Sequence, residues 1–230
     1  MINFGGINID DVRLGGIQVD KVMVGSEQRW PDISEYFHME VTMASTTKKL
    51  KVEAFLPGEF EYSSDGATWI ESTTANIDIS GSLKWYIRQE QGATLAHISF
   101  DGSEFSHVDV LYFGNMANID RMFVNCKSLI SIPSTDFSNV LDFSSLFKNC
   151  FKLEYLEDID TSKGTEFNAM FYGCNNLRCI TSINTTNSTF SKDMFKSCGS
   201  LSQPDAADRA LIQGTPGVVW NNAIPCPINK

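Results

Sequence analysis

Six cysteines, Cys126, Cys150, Cys174, Cys179, Cys198 and Cys226, are the residues best suited to metal or redox chemistry. Four of them, Cys126, Cys150, Cys174 and Cys198, are spaced 24 residues apart. A structural zinc site needs four ligands converging on a tetrahedron, and one thiol per repeat gives a line instead. Thiols in a line come within disulfide range of one another. A reducing site of synthesis and burial favour free thiols that act as small apolar residues. On that basis Cys150→Ser buries a hydroxyl without a partner and costs about 1–3 kcal/mol. The three histidines, His38, His97 and His107, lie in strand-like runs without metal-ligand spacing. There is no G-x-S-x-G, phosphate loop or H-E-x-x-H. Carboxylates gather at Asp10-Asp11, at Asp205 with Asp208, and at Glu154, Glu157, Asp158 and Asp160. Glycoside hydrolysis needs two carboxylates across a cleft, whereas the last group falls within one repeat and is not repeated in its neighbours. A solvated face or a cation site accounts for it, though a calcium site at Asp158 and Asp160 lacks the ligand count calcium needs. The expectation is therefore no catalytic residue, no metal ligand and no cofactor.

The cysteines are positioned by a repeat. Phe123, Phe147, Phe171 and Phe195 keep the same 24-residue spacing, as do Leu129, Leu153, Leu177 and Leu201. Met122, Leu146, Met170 or Met194 precedes each Phe, so the shared string is [ML]-F-x-x-C-x-x-L. Phe and Cys three apart fall on one face of a short helical turn. The Leu opens an alternating run such as Leu153-Glu154-Tyr155-Leu156, which suits a strand. Asp, Asn, Ser and Thr then close a corner through their own backbone. A further apolar residue leads into the next Phe: Ile119, Phe143, Phe167 and, one place early, Phe190. One coil cannot bury its own Phe, Cys and Leu, but stacked coils can. The expected repeat core is thus Phe123, Cys126, Leu129, Phe147, Cys150, Leu153, Phe171, Cys174, Leu177, Phe195, Cys198 and Leu201.

These residues resemble the BspA-like leucine-rich-repeat family of bacterial surface and phage proteins, whose pattern is close to M-F-x-x-C-x-x-L-x-x-[IL] followed by D-T-S-x-V. Ser138-Asn139-Val140 and Asp160-Thr161-Ser162 match its second half, and Asn184-Thr185-Thr186 matches loosely. The resemblance covers about a third of the chain. It implies a solenoid of 24-residue coils and an adhesion or virion role, with no catalytic column.

Residues 1–31 hold a shorter repeat, Ile7 to Gly16 and Ile17 to Ser26, of the form I-x-[IV]-D-x-V-x-[LV]-G. Two β-segments joined at Gly15-Gly16 are the simplest structure. Ile7, Ile9, Val12, Leu14, Ile17, Val19, Val22, Val24 and Trp30 are its candidate assembly residues. So short a segment cannot bury a core alone. It resembles the N-terminal sequences of many phage virion proteins, best over Val19 to Trp30, which implies attachment to a particle.

Residues 32–104 read as a small antiparallel β domain, with short alternating runs separated by turns such as Ser63-Ser64-Asp65-Gly66. Such spacing suggests a sandwich. The repeat-family resemblance implies an immunoglobulin-like one. Residues 105–202 are the repeat block, and 203–230 its C-terminal cap, with a helix-permissive run from Asp205 to Gln213. The expected fold is mainly β with short helical turns: an N-terminal arm, a small β domain and a leucine-rich-repeat-like solenoid.

A net charge of −10 over 230 residues opposes nucleic acid and anionic membranes as partners. The first residues lack a secretory signal pattern, and no apolar run reaches the roughly 18 residues of a membrane span. The expectation is a non-enzymatic phage virion protein, made in the host cytoplasm and residing in the virion. Its expected partners are other virion proteins and copies of itself. The alternative is an adhesion module for a host cell-surface glycan or protein.

Overall fold

The computed structural model describes residues 36–56, 58–90, 95–156, 159–180, 183, 187–198 and 200–201, with the backbone of five short strands outside that range. The described residues are mainly β. Strands β1 (Ile2–Phe4) and β2 (Ile7–Ile9) form one antiparallel hairpin. Strands β3 (Val12–Leu14) and β4 (Ile17–Val19) form another. The register pairs Leu14 with Ile17 and Val12 with Val19, leaving Gly15-Gly16 as a two-residue link. The first hairpin pairs Phe4 with Ile7 and lies within the expected arm of residues 1–31, whose expected form, two β-segments joined at Gly15-Gly16, does not include this earlier pairing. Of the candidate assembly residues, Ile7, Ile9, Val12, Leu14, Ile17 and Val19 lie in these strands. Val22, Val24 and Trp30 lie outside the described residues.

Eight strands follow: β5 (His38–Met43), β6 (Leu50–Ala54), β7 (Phe60–Ser63), β8 (Ile70–Glu71), β9 (Asn76–Ile79), β10 (Lys84–Gln89), β11 (Ile98–Ser99) and β12 (Phe105–Tyr112). They make a five-stranded sheet, β12-β5-β10-β7-β8, and a three-stranded sheet, β11-β6-β9, both antiparallel. Alternation sets the faces. Met39, Val41 and Met43 of β5 and Trp85 and Ile87 of β10 join Leu50 and Val52 of β6 in one buried cluster. The predicted turn after β7 is held by Asp65, whose carboxylate accepts from Thr68 N at 2.7 Å, Ala67 N at 2.8 Å and Ser63 Oγ at 2.8 Å. Those bonds, Thr68 first, hold its pKa well below the usual carboxylate range.

From residue 113 the chain winds in coils, each hydrogen-bonded to the next 24 residues on. Isolated parallel bridges join Asn118 to Asp142, Asp142 to Glu166 and Glu166 to Phe190. Parallel strands β13 (Tyr155–Leu156) and β14 (Cys179–Ile180) pair in the same step. Strand β15 (Ser200–Leu201) pairs in parallel with β16 (Val219–Trp220), a step of 19 residues. No helix occurs among the described residues, which corrects the expected helical turns. Each Phe-x-x-Cys segment is instead a chain of tight turns. In the first coil Met122 N bonds Ile119 O, Val124 N bonds Arg121 O and Cys126 N bonds Phe123 O. Two residues per coil are left-handed and break any helix. Arg121, Ser145, Ala169 and Asp193 have φ from 53 to 58°, and Asn125, Asn149, Gly173 and Ser197 from 56 to 77°.

The β sheets and the coils share one core. Strand β12 is both the edge of the five-stranded sheet and the start of the coils, since His107 bridges Ser131 in parallel. The buried cluster runs without a break from Phe37 to Cys198.

Candidate functional site

The repeat columns line the interior. Phe123, Phe147, Phe171 and Phe195 are buried, and successive rings stack at 5.6, 5.7 and 5.2 Å with planes within 15°. Leu129, Leu153 and Leu177 are fully buried; Leu201 is placed only by its backbone, in β15. Phe143 and Phe167 form a second stack at 5.2 Å. Phe190 does not join it. It sits in register with Asn118, Asp142 and Glu166, whose side chains face outward, and is 58% exposed.

The thiols form a hydrogen-bond ladder. Cys126 Sγ donates to the Phe100 carbonyl at 3.2 Å, and Cys150, Cys174 and Cys198 donate to the carbonyls of Phe123, Phe147 and Phe171 at 3.0 Å. All four cysteines are free and buried. Burial pushes the pKa of each of these four thiols up, that of Cys198 to about 12. Thiols held protonated at neutral pH are poor nucleophiles. Among the described residues no group of three His, Cys, Asp or Glu is placed to hold a metal ion.

Other candidate residues are dispersed. His38 Nε2 is 3.6 Å from Glu40 Oε1, His97 Nδ1 is 3.3 Å from Asp120 Oδ1, and His107 Nδ1 is 3.0 Å from Ser106 Oγ. Asp160 accepts from Ser162 N at 2.9 Å, and bonds from Ser162 lower its pKa, as a corner-closing residue requires. Glu157 and Asp158 lie outside the described residues.

Three features had no clear signal in the residue pattern. First, Ile98–Ser99 and the residues after it act as a coil before the first repeat. Phe100 stacks on Phe123 at 6.0 Å, and Phe37 on Phe100 at 6.2 Å. Phe100 stands 23, not 24, residues before Phe123, and no Cys follows it, so the repeat string misses it. Second, an amide ladder runs beside the thiols: Asn149 Nδ2 donates to Asn125 Oδ1 at 3.0 Å, and Asn125 Nδ2 to Asp101 Oδ1 at 2.8 Å. Gly173 takes the next rung, because a Cβ there would meet Asn149 Oδ1 at 2.6 Å. Asn at the position before Cys in two coils was its only signal. Third, the outer turns carry a lysine and aromatic strip. Lys148 Nζ and Lys196 Nζ lie 5.5 and 5.8 Å from the ring centre of Tyr172, and Lys127 Nζ 5.7 Å from that of Phe151.

Where the sheets meet the first coil there is a polar cleft of about 740 Å³, lined among others by Lys49, Lys51, Glu53, Asp101, Glu104 and Lys127. Several of its charges are paired within the protein: Lys48 with Glu104 at 2.8 Å and Lys49 with Asp78 at 3.0 Å. The bond from Lys48 holds the Glu104 pKa below its usual value. The cleft thus offers a mixed-charge surface rather than an acid–base pair.

These features define a mainly β protein whose repeated residues build its interior and whose variable residues cover its outer turns. Residues 104–209 match the family described as Mycoplasma protein of unknown function, DUF285, so the repeat block is similar to that family. No curated protein and no solved structure matches the chain.

Proposed function

We propose that the chain is a non-enzymatic structural protein of a phage virion. Residues 1–31 attach it to the particle. Residues 32–104 form an immunoglobulin-like β domain that shares β12 with the coils, 105–202 a leucine-rich-repeat-like solenoid, and 203–230 a cap. The observation that carries this reading is that every repeated column is committed to packing. Among the described residues, the stacked Phe rings and the Cys-to-carbonyl ladder make a stiff scaffold with no reactive group in its interior. The two N-terminal hairpins, and the likeness of the sequence from Val19 to Trp30 to the N-termini of virion proteins, support the attachment. Copies of the chain and other virion proteins are the partners on this reading.

Deleting residues 1–30 should leave a folded protein by circular dichroism and abolish incorporation into particles. Incorporation at normal copy number by the truncated chain would overturn the attachment. The Lys148–Tyr172–Lys196 strip favours a second role, adhesion to a host surface through the outer turns.

A further inference from the structure

The surface of the repeat block is divided by charge. The turns 120–128, 144–152, 168–176 and 192–198 carry Arg121, Lys127, Lys148, Lys152, Lys192 and Lys196 against two acids, Asp120 and Asp193. The spans between them, 129–143, 153–167 and 177–191, carry seven acids against Lys163 and Arg178. In a chain of net charge −10 the basic turns are a local reversal of sign. Stacking aligns Lys148, Tyr172 and Lys196 on one corner: Asn125 N bonds Lys148 O, Asn149 N bonds Tyr172 O and Gly173 N bonds Lys196 O, at 2.8, 2.7 and 2.9 Å.

Lysines 148 and 196 are therefore two coils apart, about 10 Å at the strand spacing, with the Tyr172 ring between them. The ring holds both ammonium groups by cation–π attraction. Among the described residues Lys127 and Lys148 have no carboxylate partner, while Lys196 has Asp193 at 3.5 Å. Phe151, 37% exposed, presents an apolar ring beside them.

We propose that this corner binds a carboxylated polysaccharide in which charged sugars alternate with neutral ones. The cations are few and spaced by a neutral residue, which matches a polymer charged at every second unit. A densely charged phosphate polymer gains from many closely spaced cations and would meet the acidic remainder of the chain at close range. Phe151 offers its ring to the C–H face of a sugar, and Lys127, Lys148 and Lys196 pair with carboxylates. Tyr172 is a positioning residue that fixes the lysine spacing. The proposal rests on the adhesion reading and is independent of attachment through residues 1–31.

The test is fluorescence anisotropy of the purified full chain with a labelled oligosaccharide of alternating glucuronate and N-acetylglucosamine, beside a neutral dextran oligomer and an oligothymidylate. Saturable binding to the uronate oligomer that weakens with salt is expected. Lys148→Gln with Lys196→Gln should weaken it by about tenfold or more at an unchanged melting temperature. Tyr172→Ala should weaken it and Tyr172→Phe should not. No binding to the uronate oligomer, binding to the dextran or oligothymidylate as tight or tighter, or wild-type affinity in the double variant would overturn the site. Wild-type affinity in Tyr172→Ala would overturn the positioning role. Particle incorporation, which reports the arm, is a separate readout.

Discussion

At the scale of single residues, the interior is specified by what each polar atom can reach. The Cys150 thiol was expected to behave as an apolar residue whose replacement by Ser leaves a hydroxyl unpaired. The Phe123 carbonyl, 3.0 Å from its sulfur, changes that reasoning. A serine hydroxyl inherits the acceptor at somewhat longer reach, so Cys150→Ser should cost about 1 kcal/mol. Cys150→Ala loses both the donor and the sulfur volume and should cost about 1–3 kcal/mol. Chemical denaturation of both variants checks the order, and an Ala variant as stable as the Ser variant would sink it. Glu90 behaves oppositely to the hydrogen-bonded acids. Its Oε2 is buried without a hydrogen-bond partner among the described residues. Desolvation first, then Glu61 and Glu71, raise its pKa, with Arg88 partly opposing. Because the folded pKa lies above the unfolded one, the favourable contribution is present below the unfolded value and is lost as pH rises through the folded value. Glu90→Gln should therefore raise the melting temperature near pH 7 and leave it unchanged near pH 3, where the carboxyl is protonated in both states. Equal shifts at the two pH values would show that the group is solvated.

At the scale of the element, each coil depends on two left-handed corners. The columns Phe, Cys and Leu were legible because identical apolar types recur at one period. The corners were not, because Arg121, Ser145, Ala169 and Asp193 share only a backbone conformation. The Phe-x-x-Cys spacing is compatible with a helical turn, and only the positive φ values exclude it. Likewise Tyr172 and Lys148 were unremarkable until stacking aligned them, so the candidate site was mostly hidden in the sequence. The paired strands of residues 36–112 were legible from alternation, since side chains there meet opposite faces at each step. Ala169, at φ 53°, bears the steric cost of a left-handed residue without a side-chain hydrogen bond to offset it. Ala169→Gly should stabilise the protein by about 0.5–1 kcal/mol. The reverse holds at Gly173, where φ is 77° and a Cβ meets Asn149 Oδ1 at 2.6 Å. Gly173→Ala should cost about 1–3 kcal/mol. The pair is read by thermal melts, and a neutral Gly173→Ala would mean that the amide ladder moves aside freely.

At the scale of the whole molecule, the end of a stack is its weakest point, because the last coil exposes one face of its ring. Here the first repeat is closed by residues that the repeat string does not include. Phe37, Phe100 and Phe123 stack in succession, Phe105 meets Phe100 and Phe123 edge-on at 6.3 and 6.1 Å, and the Phe100 carbonyl accepts from Cys126. Strand β12 completes the closure, with Phe105, Val108 and Leu111 in the core and its backbone paired to β5. A chain cut to begin at residue 105 loses the rings over Phe123, the acceptor of Cys126 and the partner of β12 together. Re-exposing one large aromatic face alone costs about 1.5–3 kcal/mol, and an unpaired β12 invites aggregation. The fragment 105–230 should therefore lack a cooperative thermal transition by circular dichroism and self-associate, whereas 36–230 should melt cooperatively close to the full chain. A sharp transition of 105–230 at the temperature of 36–230 would show that the coils close without the β sheets.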